Sequence, residues 1–144
     1  MILDALLQVS SAQAVTADAA SEDTIDFGNV TPNRRIAVGE PMCYVMAITA
    51  VGTNTGSTKV QAIESAAEAL TSPQIVGSLD LAAGDLVAGK VYIIAISQGI
   101  AALRYGGMYH DITGTVDYTV DAFLVPASMA ASIATAYANG YSIS

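Results

Sequence analysis

The 144-residue sequence predicts an all-β fold, an antiparallel sandwich or barrel. Three observations carry that expectation. Short apolar or alternating runs follow one another closely, glycine-bearing turns separate them, and no long amphipathic helical pattern interrupts them.

The first 20 residues read as an arm ahead of a single domain spanning residues 21–144. Ile2, Leu3, Leu6, Leu7 and Val9 crowd five large aliphatics into nine positions, and Ser, Ala, Gln and Thr then dominate to Ala20. The segment reads either as a frayed terminus with a short helix or, because exposed apolar surface invites association, as an arm that docks on a neighbour. Ala12-Gln13-Ala14 has the form of a signal-peptide cleavage site. The start carries no basic residue, and Asp4 interrupts the apolar stretch, so no secretory signal is expected.

Beyond Gly28 the pattern is β. Residues 42–51, Met-Cys-Tyr-Val-Met-Ala-Ile-Thr-Ala-Val, predict a strand buried on both faces, and Gly52 to Ser57 a turn. Thr58 to Ile63 alternates, with Lys59 and Gln61 on one face and Val60 and Ala62 on the other. Residues 65–70 fit either a helical turn or a β-excursion, which Ser72-Pro73 breaks. Gln74 to Leu81 reads as a short strand. Turns follow at Ala83-Gly84-Asp85 and Ala88-Gly89. Lys90 to Ser97 is rich in β-branched and aromatic residues and is expected to be the most buried strand. Leu103 to Ile112 is a further strand, whose Gly106-Gly107 pair predicts a bulge or a close backbone approach. Thr115 to Val125 places Val116, Tyr118, Val120, Ala122 and Leu124 on one face and Thr115, Asp117, Thr119 and Asp121 on the other. Pro126 stops it. Ala127 to Tyr137 is weakly helical, with Ser128 as a candidate cap.

Composition narrows the function. Charged residues make up 12% against 53% hydrophobic, with a net charge of -8, whereas an ordinary soluble domain carries about 25% charged residues. No run approaches the ~20 apolar residues of a bilayer helix. Five Lys and Arg, with Arg34-Arg35 the only adjacent pair, disfavour nucleic acid and anionic membrane surfaces. The single Cys, Cys43, excludes an intrachain disulfide.

Catalytic patterns are scarce. His110 is the only histidine, no G-x-S-x-G elbow accompanies it, and its alternation with Met108 and Ile112 suggests a structural role. Gly52 to Lys59 matches a phosphate-binding loop in composition but not in spacing. Asp80 and Asp85 lie near turns without the EF-hand pattern. No enzyme activity, cofactor or metal is expected. Seven tyrosines leave a carbohydrate-binding module as one alternative, beside a small hydrolase and a pilus or fibre subunit.

Several stretches together bear a family resemblance. Met1-Ile2-Leu3-Asp4-Ala5, Ser11-Ala12-Gln13-Ala14-Val15-Thr16, Thr24-Ile25-Asp26-Phe27-Gly28 and Val38-Gly39-Glu40-Pro41 come in order. Ala69-Leu70-Thr71-Ser72-Pro73, Ala88-Gly89 and Leu103-Arg104-Tyr105-Gly106-Gly107-Met108-Tyr109 continue the series. The ordered set resembles the capsid cement family of tailed bacteriophages typified by the Bordetella phage head protein. Gly107, Met108 and the Ala-rich C-terminal segment depart from that pattern.

The resemblance implies a jelly-roll-like β-sandwich with an extended N-terminal arm. It implies a virion protein on the outer capsid surface, made in the host bacterial cytoplasm, that clamps major capsid subunits of the HK97-like fold. It also implies a homo-oligomer, dimer before trimer. The expected contacts are Ile2, Leu3, Leu6, Leu7 and Val9 of the arm, with Arg34 and Arg35 facing acidic partners.

Overall fold

A computed structural model describes residues 8–26, 42–96 and 103–138. Within them run nine strands and one helix: β1 (Gln8–Val15), β2 (Ala19–Ala20), β3 (Ile25–Asp26), β4 (Met42–Val51), β5 (Ser57–Ser65), β6 (Gln74–Leu81), β7 (Val91–Ala95), β8 (Tyr105–Thr113), β9 (Tyr118–Pro126) and α1 (Ala127–Ala138).

Two antiparallel sheets face each other. The first has the order β1-β9-β4-β7, and the second β2-β8-β5-β6, with β3 also paired to β8. The pairs β1 with β9, β2 and β3 with β8, β4 with β7, and β5 with β6 are nested. The described strands therefore form one long hairpin rolled on itself, and the β4–β9 and β5–β8 pairs close the roll. This is the jelly-roll arrangement, which manages strand edges by wrapping two sheets around one core.

The core lies between the sheets. Val9, Tyr44, Met46, Ile48, Val60, Ala62, Ile94, Met108, Val120 and Leu124 meet there. A smaller cluster lies on the opposite face of the first sheet, where α1 buries Ala130 against Cys43, Val45, Phe123 and Val125. That helix explains why β4 is apolar on both faces. It also explains β9, where alternation is clean to Asp121 and every residue is then buried from Ala122 to Val125. α1 begins at Ala127, so Ser128 lies inside the first turn rather than capping it.

Three expectations need correction. Residues 8–15 are not part of a free arm. They form an outer strand of the first sheet, hydrogen-bonded to β9 across two register shifts. Val9 points into this chain's own core and is fully buried, so it offers no partner contact. The run from Lys90 to Ser97 is not the most buried strand. Among the described strands β7 pairs with β4 alone, and its Ile93 is 42% exposed.

The glycine pair of β8 marks a close approach and not a bulge, because the β5–β8 register runs unbroken. A Cβ at Gly107 would lie 2.7 Å from Leu70 Cδ1 and 2.9 Å from Ser21 Oγ. The excursion after β5 is what presses there. Ser65 Oγ donates to the Thr71 carbonyl at 2.6 Å, and Leu70 and Ser72 adopt left-handed φ of 56° and 46°. Gly77 plays a similar part in β6. A Cβ at that position would collide with the Ala95 carbonyl oxygen, so β6 and β7 of opposite sheets nearly touch.

Candidate functional site

The chemistry-bearing residues fall into three places. The first is a polar chain inside the core. His110 Nδ1 lies 2.8 Å from Tyr118 Oη, which lies 3.2 Å from Thr58 Oγ1. His110 and Thr58 come from the second sheet and Tyr118 from the first, so the chain ties the sheets together. Alternation along β8 grouped His110 with Met108 and Ile112 and left it either on the surface or hydrogen-bonded; the structure places it buried on the inner face beside Met108. Burial pulls the imidazole down to about 4 and pushes the Tyr118 hydroxyl up to about 12. Nε2 is buried without a hydrogen-bond partner. A proton on Nδ1 leaves Nε2 as a bare lone pair, which costs less than an orphaned N–H. The arrangement is a polar tie between the two sheets within the core.

The second place is an open groove of about 400 Å³ on the second sheet, lined by Ser57, Lys59, Asp80, Asp85, Asp111 and Thr113 among others. Lys59 sits between Asp111 and Asp80 on adjacent strands, 4.0 Å from the Asp80 carboxylate. These are solvated side chains, and such exposed pairs contribute little energy. Asp85 accepts the Ala82 N–H through its side chain and the Tyr92 hydroxyl through its carbonyl, so it secures the turn. Among the described residues no group of three or more His, Cys, Asp or Glu could hold a metal ion.

The third place is the outer face of the first sheet with α1. Its five elements contain a single charged residue, Asp121, and that carboxylate accepts the Ala12 N–H at 2.7 Å. Ile93 and Met129 are each 42% exposed there. The second sheet and the turns carry the other ten described carboxylates.

Of the expected contact residues, Ile2, Leu3, Leu6, Leu7, Arg34 and Arg35 lie outside the described residues. Among the described residues the tyrosines form no single platform, since Tyr44 and Tyr118 are in the core while Tyr105 and Tyr109 lie on the second sheet. Gly52 to Lys59 leads into β5 and not into a helix, so it lacks the strand–helix setting of a phosphate loop.

Two polar groups escaped the sequence reading. Ser10 and Gln13 are buried in β1, where Ser10 Oγ donates to Gln13 Oε1 at 2.7 Å and Gln13 Nε2 donates to the Ala20 carbonyl at 2.8 Å. Glu64 is buried at the end of β5 and accepts the Leu103 N–H at 3.2 Å. Burial pushes its carboxyl up, and that hydrogen bond opposes the shift.

Comparison with known families decides the lineage. The Bbp16 family model matches residues 9–124, most of the chain and nearly all of the rolled hairpin. The chain belongs to the Bbp16 family. The family takes its name from a Bordetella phage protein, so Bbp16 membership agrees with phage origin and with a β-rich fold. No curated protein matches the sequence. Among the described residues no helix is long and apolar enough to cross a membrane.

Proposed function

We propose that this Bbp16-family chain is a capsid cement protein. It binds the outer surface of a tailed-phage head and stabilises contacts between major capsid subunits of the HK97-like fold, without catalysis, cofactor, nucleic acid or membrane. It works as a homo-oligomer, a dimer in preference to a trimer. The observation that carries this reading is the family match across residues 9–124. The jelly-roll arrangement of the two sheets supports it.

The mechanism is linkage. A protein that binds the assembled shell and not its separated subunits stabilises the shell by mass action. A standard interface buries about 1,600 Å², and a subunit held by several such contacts needs few charges of its own. Ile2, Leu3, Leu6 and Leu7 supply apolar contact, and Arg34 and Arg35 pair with acidic shell residues.

The test is add-back to heads lacking the protein. Purified chain should co-sediment with them and raise the temperature at which they release DNA. Deletion is confined to residues 1–7, because Gln8 begins β1. The truncated protein should remain folded and lose occupancy. Failure of the full-length chain to bind heads refutes the proposal, and undiminished occupancy by the truncated chain removes the arm from it.

A further inference from the structure

We infer that the outer face of the first sheet, which carries one charged residue and has α1 lying on it, is the surface that meets a second copy of this chain. The inference assigns a face to the self-association proposed above. It rests on that part of the reading and not on head binding.

The argument is electrostatic and geometric. The chain carries a net charge of -8, so two copies repel one another at most approaches. In a two-fold interface the same patch meets itself, and a carboxylate near the axis faces its own copy or a neighbouring carboxylate. Any pairing through the second sheet would bring Asp80, Asp111 and the turn carboxylates against their equivalents. Of the described cations on that side, Lys59 is already beside Asp80 and Arg104 is already paired with Asp26.

The first sheet has far less of this conflict. β1, β4, β7, β9 and α1 hold one charged residue between them, Asp121, and it is already bonded to Ala12. The same face exposes two large apolar side chains, Ile93 on β7 and Met129 on α1, which flank the buried cluster of Val45, Phe123 and Ala130. Burying them against their equivalents removes apolar surface from water without desolvating a charge. The partner that fits a sparsely charged, weakly apolar face on a strongly acidic protein is another copy of that face.

The experiment is sedimentation of the full chain, wild type beside Ile93→Asp and Met129→Asp, with Ile75→Asp as a control on β6. Ile75 is 51% exposed in the second sheet. The wild type and the control should be dimers. Each variant on the first sheet should dissociate at roughly 30-fold higher concentration or more, the scale of an interface hot spot, with unchanged circular dichroism. A second measurement needs no substitution. Hydrogen exchange of the wild type at high and low concentration should differ in β7 and in residues 127–132, and not in β6. Dimeric variants, or concentration-dependent protection confined to the second sheet, overturn the assigned face while self-association stands. A monomeric wild type overturns both, even if the same face proves to bind heads.

Discussion

Acid should weaken this fold through one residue, His110. Its ring is fully buried, its Nδ1 is held by Tyr118, and Nε2 has nothing to receive a second proton's hydrogen bond. The imidazole titrates at about 4 in the folded chain, against 6.5 for a free histidine. As pH falls, the unfolded chain therefore takes up the proton first. The stabilisation from keeping this ring neutral is full above about pH 6.5, is lost between 6.5 and 4, and changes no further below that. At 1.36 kcal/mol per pH unit the loss comes to about 3 kcal/mol, a large part of a typical domain's 5–15 kcal/mol. Glu64 works the other way. Its raised carboxyl binds a proton more readily when folded, so it relieves some strain on acidification. The assay is urea denaturation from pH 7.5 to 4 of wild type and His110→Gln, which keeps an N–H donor for the Tyr118 hydroxyl and cannot titrate. The difference between the two stability profiles should change by about 3 kcal/mol across that range. Parallel profiles, or a His110 ring that titrates near 6.5 by NMR in the folded state, would refute the reasoning.

Other consequences follow from single contacts. Tyr118→Phe removes the hydroxyl that joins Thr58 and His110, and should cost about 1–3 kcal/mol in chemical denaturation. Val9→Ala should cost about 2 kcal/mol, with a matching fall in melting temperature, because Val9 is a core residue. Gly77→Ala should destabilise by about 1–3 kcal/mol, since its methyl meets the Ala95 carbonyl. Gly84→Ala meets nothing within 4 Å, and should be neutral or stabilise by up to about 1 kcal/mol in the same assay.

The strands that sequence reading located best share one property. Residues 58–63, 74–81 and 115–125 alternate regularly or sit between clear turns, and they became β5, β6 and β9, the last starting three residues later than expected, at Tyr118. β1 did not announce itself. Its ladder to β9 slips twice, Ala12 takes a left-handed φ of 49°, and two of its buried side chains, Ser10 and Gln13, are polar. A period of two is therefore broken, and the hydrophobic signal is replaced by a hydrogen bond between side chains. β7 misled for the opposite reason. Val91-Tyr92-Ile93-Ile94-Ala95 is as apolar as a central strand, but edge position is a property of topology and leaves no mark on composition. The resemblance supplied the jelly roll, whereas alternation alone left sandwich and barrel open. Of the candidate sites, parity along β8 grouped His110 with Met108 but did not say that this side faces the core. The outer face of the first sheet was not readable either, because it is assembled from five elements separated by up to 100 or so residues, and only the sheet order brings them together.

The central claim is that this chain is part of the phage head. Quantitative mass spectrometry of purified heads addresses it most directly. The account predicts the chain at a copy number comparable to the major capsid protein, and its loss under conditions that strip the outer surface while the shell stays intact. Heads that package DNA and contain none of it would contradict the account.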